Sequence, residues 1–310
     1  MGRISNRFFF AGAIIGLLFF AGCNSNNASP AIDYGTPKSG MIHISVDESF
    51  EPVIKEQIKV YQSSFPDAHI IATYKSEADC FRDLDNDSIR LIIVAKGLTP
   101  DQSKHFDERL SFKPQFDIVA FDAVSVIINK NENDSIFTME RLRNILEGKD
   151  QSVRAVVDGS NATSTVRYLQ DSVLKGGSFG SNVMAAEGGS RGVIDYISNN
   201  ENAIGFVGSS WVVNEDDPEV VAYQKKIKFA LLQCKENCDD ATFAKPSQAT
   251  ISYNQYPLVR PLYYVLKENL TGLGSGFTNF LSLERGQLIF NRSYLVPAKI
   301  YFGTRKSLIH

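Results

Sequence analysis

Three short apolar runs, separated by segments of helical periodicity, constrain this chain more than any other feature. Residues 41–46 (MIHISV), 69–74 (HIIATY) and 90–95 (RLIIVA) are rich in β-branched and aliphatic side chains. Between the first two, Val53, Ile54, Ile58, Tyr61 and Phe65 recur at helical spacing until Pro66-Asp67 breaks the pattern. A second helical pattern runs from Lys75-Ser76 to about Asp85. The third run is almost wholly apolar, as a strand buried on both faces must be. This β-α-β-α-β order predicts a doubly wound α/β unit with a parallel sheet. Such sheets hold ligands beyond the carboxyl ends of their strands. The turns at Ser49, Ser76 and Lys96 lie at those ends.

A second set follows. Residues 116–129 (FDIVAFDAVSVIIN) form a β-rich stretch long enough to cross between domains. Residues 138–147 predict an amphipathic helix capped at Thr138 or a neighbour. Strands are expected at 154–157, 182–186, 203–207 and 227–232, with helices at 166–174 and 192–199 and a helix-and-loop segment at 211–222. Residues 258–266 are β-prone and suited to cross back, before helical segments at 277–283 and 287–290. Two α/β sets joined by crossing strands leave a cleft, and hinge closure over a small ligand is the common use of that arrangement.

Within the second set, residues 156–169 (VVDGSNATSTVRYL) run from strand through a polar turn into a helix. The first amides of a helix lack intrahelical acceptors, and the helix dipole adds positive potential there. Ser160, Asn161, Thr163, Ser164 and Thr165 add short donors around those amides. The same residue types are ordinary helix caps, so the anion reading draws its support from the matching hydroxyl turns at Ser49 and Ser76.

The first residues read as a targeting segment. Arg3 and Arg7 precede an apolar run, 8–20, which ends in Ala21-Gly22-Cys23. That run is shorter than the roughly 20 residues a membrane span needs, so residues 1–22 fit a secretory signal. The Ala-Gly-Cys ending resembles the lipobox of bacterial lipoproteins, a resemblance that implies lipid on Cys23 and a flexible tether over 23–40. The net charge of −3 gives no basic surface for nucleic acid. A content of 43% hydrophobic and 22% charged residues suits a folded chain. Cys234 and Cys238 flank Lys-Glu-Asn, a spacing that fits a short disulfide-closed loop in an oxidising compartment. Cys80 reads as a buried thiol. The four His are not spaced as ligand pairs, so neither metal nor cofactor is expected.

Several stretches, in order, resemble the phosphate-binding proteins of bacterial ABC transporters. They are residues 121–129 (FDAVSVIIN), 138–148, Gly188-Gly189-Ser190-Arg191-Gly192-Val193 with 203–208 (AIGFVG), 256–266 (YPLVRPLYYVL), and Gly286-Gln287 with Pro297-Ala298. The resemblance covers most of residues 41–299. It implies a type II periplasmic-binding-protein fold, α/β, with two doubly wound lobes: 41–120 plus 257–310 as lobe 1 and 121–256 as lobe 2.

Carried over residue by residue, the family's first turn matches Ser49-Phe50 and its second matches Ser76. Its third turn bears an acidic residue in phosphate-specific members and often Ser-Arg in relatives; here it is Ala95-Lys96. Its fourth element, Asp-Gly-Ser-Gly-Thr after an Arg, matches Asp158-Gly159-Ser160, with Asn161-Ala162-Thr163 in place of Gly-Thr. Ser164-Thr165 take the second part if the turn is longer. The family's Arg has no clean counterpart: Val156 occupies its offset, Arg154 lies two residues earlier, and Arg167 is the other candidate.

The expected function is capture without chemistry. A lipid-anchored extracytoplasmic binder takes phosphate or a related oxyanion, contacts the membrane through Cys23, works as a monomer and serves an ABC permease. Two rivals are a receptor or sensor that kept the fold and lost the anion, and a phosphoester hydrolase. GxSxG and HExxH do not occur, so an enzyme is not expected.

Overall fold

A computed structural model of the chain describes Gly2 and residues 35–159, 163–238, 242–269 and 271–299. The rest of residues 1–34, including Cys23 and most of the expected tether, and Ser160 and Asn161 lie outside the described residues. The rest falls in one compact unit, Tyr34–His310.

The first set is β1 (Gly40–Asp47), α1 (Glu51–Ser64), β2 (Ala68–Lys75), α2 (Glu77–Leu84), β3 (Ile89–Val94) and α3 (Pro100–Leu110). Pro52 opens α1, which buries Val53, Ile54, Gln57, Ile58 and Tyr61. The Ser76 side chain caps α2 by accepting from the Asp79 amide, and a Thr99–Gln102 capping box starts α3. Helix α3 was not expected from periodicity. It buries only Phe106, so it carries almost no apolar face to read.

Then come β4 (Gln115–Asn129), β5 (Ile136–Phe137), α4 (Met139–Leu146), β6 (Arg154–Val157), α5 (Ser164–Ser172), β7 (Val183–Ala185), α6 (Gly189–Asn199), β8 (Ala203–Gly208) and α7 (Pro218–Gln224). They are followed by β9 (Ile227–Phe229), β10 (Leu231–Gln233), β11 (Phe243–Ala244), α8 (Gln248–Ser252), β12 (Val259–Leu266), α9 (Leu273–Ser282), α10 (Glu284–Arg292) and β13 (Val296–Pro297). Thr138 caps α4 as expected. The single strand expected over 227–232 is instead two. At Ala230 the chain changes partner, so β9 pairs β4 while β10 pairs β5 and β11.

The main sheet runs β2-β1-β3-β12-β4-β8-β6-β7. β1 is parallel to β2 and β3, and β6 is parallel to β7 and β8. The crossing strands are antiparallel: β12 to β3 and β4, and β4 to β8. The result is a mixed α/β fold, parallel within each set and antiparallel where the chain passes between them.

Strand β4 serves more than one core. Val119 and Ala120 pack with Ile42, Ile44, Ile54, Phe277 and Phe290. Ala123, Val124, Val126 and Ile128 pack with Leu142, Leu169, Phe206 and Tyr256. On β12, Leu262 joins the first cluster, whereas Leu258, just before the strand, joins the second. Between these apolar stretches each strand carries one buried charge, Asp122 on β4 and Arg260 on β12. Among the described residues no helix is long and apolar enough to cross a membrane.

Candidate functional site

The waist between the two cores is where the hydroxyls meet. Ser49 follows β1, in the turn whose Asp47 side chain accepts from the Ser49 amide at 2.9 Å. Thr163 caps α5, accepting from the Val166 amide, and so presents Ser164 and Thr165 on the first turn. Both hydroxyls approach Ser49 Oγ, at 3.3 and 3.4 Å, and Asp158 Oδ2 lies 3.5 Å from it. These separations exceed the roughly 2.7–2.8 Å of a good O–H···O bond. The hydroxyls surround a common point more than they satisfy one another.

Arg260 enters that point from β12 and is fully buried. Its Nη1 donates to Ser164 Oγ at 2.8 Å and to Thr165 Oγ1 at 3.3 Å. Its Nε and Nη2 donate to Asp122 Oδ2 at 3.1 and 2.9 Å. The guanidinium lies over the Phe50 ring, 4.8 Å from its centroid. One edge of the fork is thus held by a carboxylate and one nitrogen is left for the hydroxyl ring. Gly208 permits this close packing, because a side chain there would meet Ser49 O at 2.6 Å and Arg260 Nη2 at 3.0 Å.

The expected site residues divide into two groups. Ser49, Phe50, Thr163, Ser164 and Thr165 are buried together. Among the described residues, Ser76, Lys96 and Arg167 make no hydrogen bond to these hydroxyls and have partners of their own. The Ser76 hydroxyl bonds Asp79 at 2.5 Å, and Lys96 Nζ lies 5.0 Å over the Phe81 ring. Arg167 pairs with Glu77 and, at 3.2 Å, with Asp171. Arg154 is exposed at the start of β6. The cation that meets these hydroxyls is Arg260, within YPLVRPLYYVL and absent from the residues expected at the site. Its signal was a lone charge within an apolar β-run, matched by Asp122 within FDAVSVIIN.

Carboxyls crowd the same space. Asp47, Asp122, Asp158 and Glu77 are all buried, at 1, 0, 5 and 2% exposure. Burial first, and then Glu77, pushes Asp47 up to about 6, with Arg260 opposing. Burial and the neighbouring Asp158 push Glu48 up to about 8. Burial likewise raises Asp158, against the pull of the Thr163 and Thr165 hydroxyls. Glu48 also ties the two sets together. Its carboxylate accepts from the Ser190 amide at 2.7 Å and from the Ser190 hydroxyl at 3.1 Å, at the start of α6. The Trp211 indole donates to Glu48 O at 3.3 Å, and Ser210 Oγ donates to Ser49 O at 3.3 Å.

Away from the waist, Cys234 and Cys238 are joined by a disulfide and Cys80 is a buried free thiol. Among the described residues no group of three or more His, Cys, Asp or Glu is placed to hold a metal ion.

Residues 29–284 match the model of a PBP superfamily domain. The chain belongs to the PBP superfamily. Over 314 residues this PBP chain is 23% identical to the phosphate-binding protein PstS of Pseudomonas aeruginosa strain PAO1, covering 90% of this chain and 93% of that protein. Its fold is similar to that of a phosphate ABC transporter substrate-binding protein from Clostridium perfringens, solved with phosphate bound. That pair has a TM-score of 0.67 at 19% identity and covers 84% of this chain and 100% of the other. An ABC-type phosphate transport receptor from Vibrio cholerae gives a TM-score of 0.60 at 15% identity, covering 83% and 100%. The expected type II periplasmic-binding-protein architecture is thus the one observed.

Proposed function

We propose that this PBP protein is an extracytoplasmic solute-binding protein that captures phosphate or a similar tetrahedral oxyanion and passes it to an ABC permease. The observation that carries the reading is the convergence of Arg260 Nη1 with the Ser49, Ser164 and Thr165 hydroxyls at one buried point. A cation and short donors held in fixed directions replace the hydration shell of an oxyanion. The names of the relatives support the same ligand class.

In this reading, residues 41–120 with 257–310 form one lobe and 121–256 the other, and the anion sits in the cleft between them. Thr163, Ser164 and Thr165 contact it, with Ser160 and Asn161 as further candidates from the sequence, and Ser76, Lys96 and Arg167 are the remaining candidates. Lipid on Cys23 holds a monomer at the membrane, residues 1–22 having been removed as a signal, and the protein catalyses nothing. Calorimetry of the purified protein against phosphate, sulfate and small carboxylates tests the proposal. Heat with phosphate at a one-to-one ratio supports it, and silence with every oxyanion ends it.

A further inference from the structure

Charge accounting at the waist points to a property beyond anion capture itself, although it rests on that reading. Asp122 is neutralised by Arg260 at 2.9 Å, and Glu77 is neutralised by Arg167. Asp47, Glu48 and Asp158 have no cation partner of their own among the described residues. Asp47 Oδ2, on a side chain that is 1% exposed, has no hydrogen-bond partner at all. An entering oxyanion brings further negative charge beside three carboxyls that have no ion-pair partner of their own. Like charges at such range in a buried site cannot all stay ionised.

We propose that anion capture here is coupled to uptake of a proton from solvent by the Asp47–Glu48–Asp158 carboxyl group, with Asp47 the principal acceptor. The neutral Asp47 carboxyl then has an O–H to donate from Oδ2, while Oδ1 goes on accepting from the Ser49 amide. The groups facing Asp47 come from every neighbouring element: Glu48 from its own turn, Glu77 and Cys80 from α2 and Arg260 from β12. Asp158, from the turn after β6, faces Glu48 in turn. Of these, only Arg260 favours ionised Asp47. Bound anion works against Arg260, so the proton is held more tightly in the complex than in the free protein. Affinity falls as pH rises through the interval between those two states, by up to about tenfold per pH unit for one proton.

The test compares phosphate binding by the wild type and by Asp47→Asn across neutral and alkaline pH. Phosphate's own ionisation is common to both proteins and cancels in the comparison. The asparagine needs no proton, so Asp47→Asn binds phosphate about tenfold more tightly than the wild type at the alkaline end, with a flatter pH profile. Equal or weaker binding by Asp47→Asn there overturns the proposal. It would mean that the carboxylate helps by accepting a proton from the ligand. Should Asp47→Asn not fold, Glu48→Gln gives the same comparison, with tighter alkaline binding expected and equal or weaker binding decisive against. Absence of phosphate binding by the wild type at every pH would instead remove the anion-site reading on which this rests.

Discussion

Arg260 stands directly across from Asp122 in the β12–β4 register, and two of its nitrogens share one carboxylate oxygen. The pair lies where both strands pass from one apolar core to the other. It therefore fixes the guanidinium at the point to which Ser49 and the start of α5 converge.

Cutting this pair on one side should be costly. Arg260→Met leaves the Asp122 carboxylate buried without its partner, which destabilises by about 3–5 kcal/mol. Arg260→Met with Asp122→Leu removes both charges and recovers most of that loss. Neither variant binds phosphate. Urea unfolding with calorimetry separates the two effects, and a double variant that bound phosphate would refute the role given to Arg260.

The hydroxyls should matter for affinity and little for folding. Ser49→Ala and Ser164→Ala each remove one donor to a charged ligand, worth roughly 1.5–3 kcal/mol, or about ten- to a hundredfold in Kd. Titration calorimetry reads the affinity, and melting temperature serves as the control. A wild-type Kd in both variants would move the site elsewhere.

Glu48 makes stability depend on pH in a stated direction. Its pKa rises from an ordinary 4.5 to about 8 in the folded chain. Between those values the folded state holds a proton that the unfolded state releases. Stability is therefore fully present below the lower value and is lost as pH rises toward the higher one. The melting temperature should drop across that interval by at least about 3 °C, and Glu48→Gln should flatten the profile. A flat wild-type curve would contradict this.

Gly189 tests the contact between Glu48 and α6. It has φ +67°, and a Cβ there would lie 2.5 Å from Glu48 Oε1. Gly189→Ala pays for left-handed backbone, about 1–2 kcal/mol, and also displaces the Glu48 carboxylate from Ser190. The urea midpoint should fall accordingly, and an unchanged midpoint would show that the approach is not tight.

Much of this was legible in the chain because local pattern and tertiary role agreed. The runs at 41–46, 69–74 and 90–95 are strands, and Thr138 and Thr163 cap helices as their types predict. Ser49, Ser164 and Thr165 come together as hydroxyl turns at matching strand ends should. The role of Arg260 is not legible locally, because it depends on a partner 138 residues away in sequence. Likewise, α3 presents no apolar stripe, and the break at Ala230 depends on which strand each neighbour pairs with. Lys96, a candidate at the third turn, has its ammonium over the Phe81 ring in the folded chain.

The sheet has no gap from β2 to β7, and β4 belongs to both cores. A movement that parts Glu48 from Ser190 cannot swivel on a loose connection. It has to be absorbed as added twist along β4 and β12, near the register slip between Leu262 and Tyr263. Any such movement would use the sheet as a flexure, in the engineer's sense of a joint with no bearing. The backbone ladder would supply the restoring force that returns the two sides to one alignment.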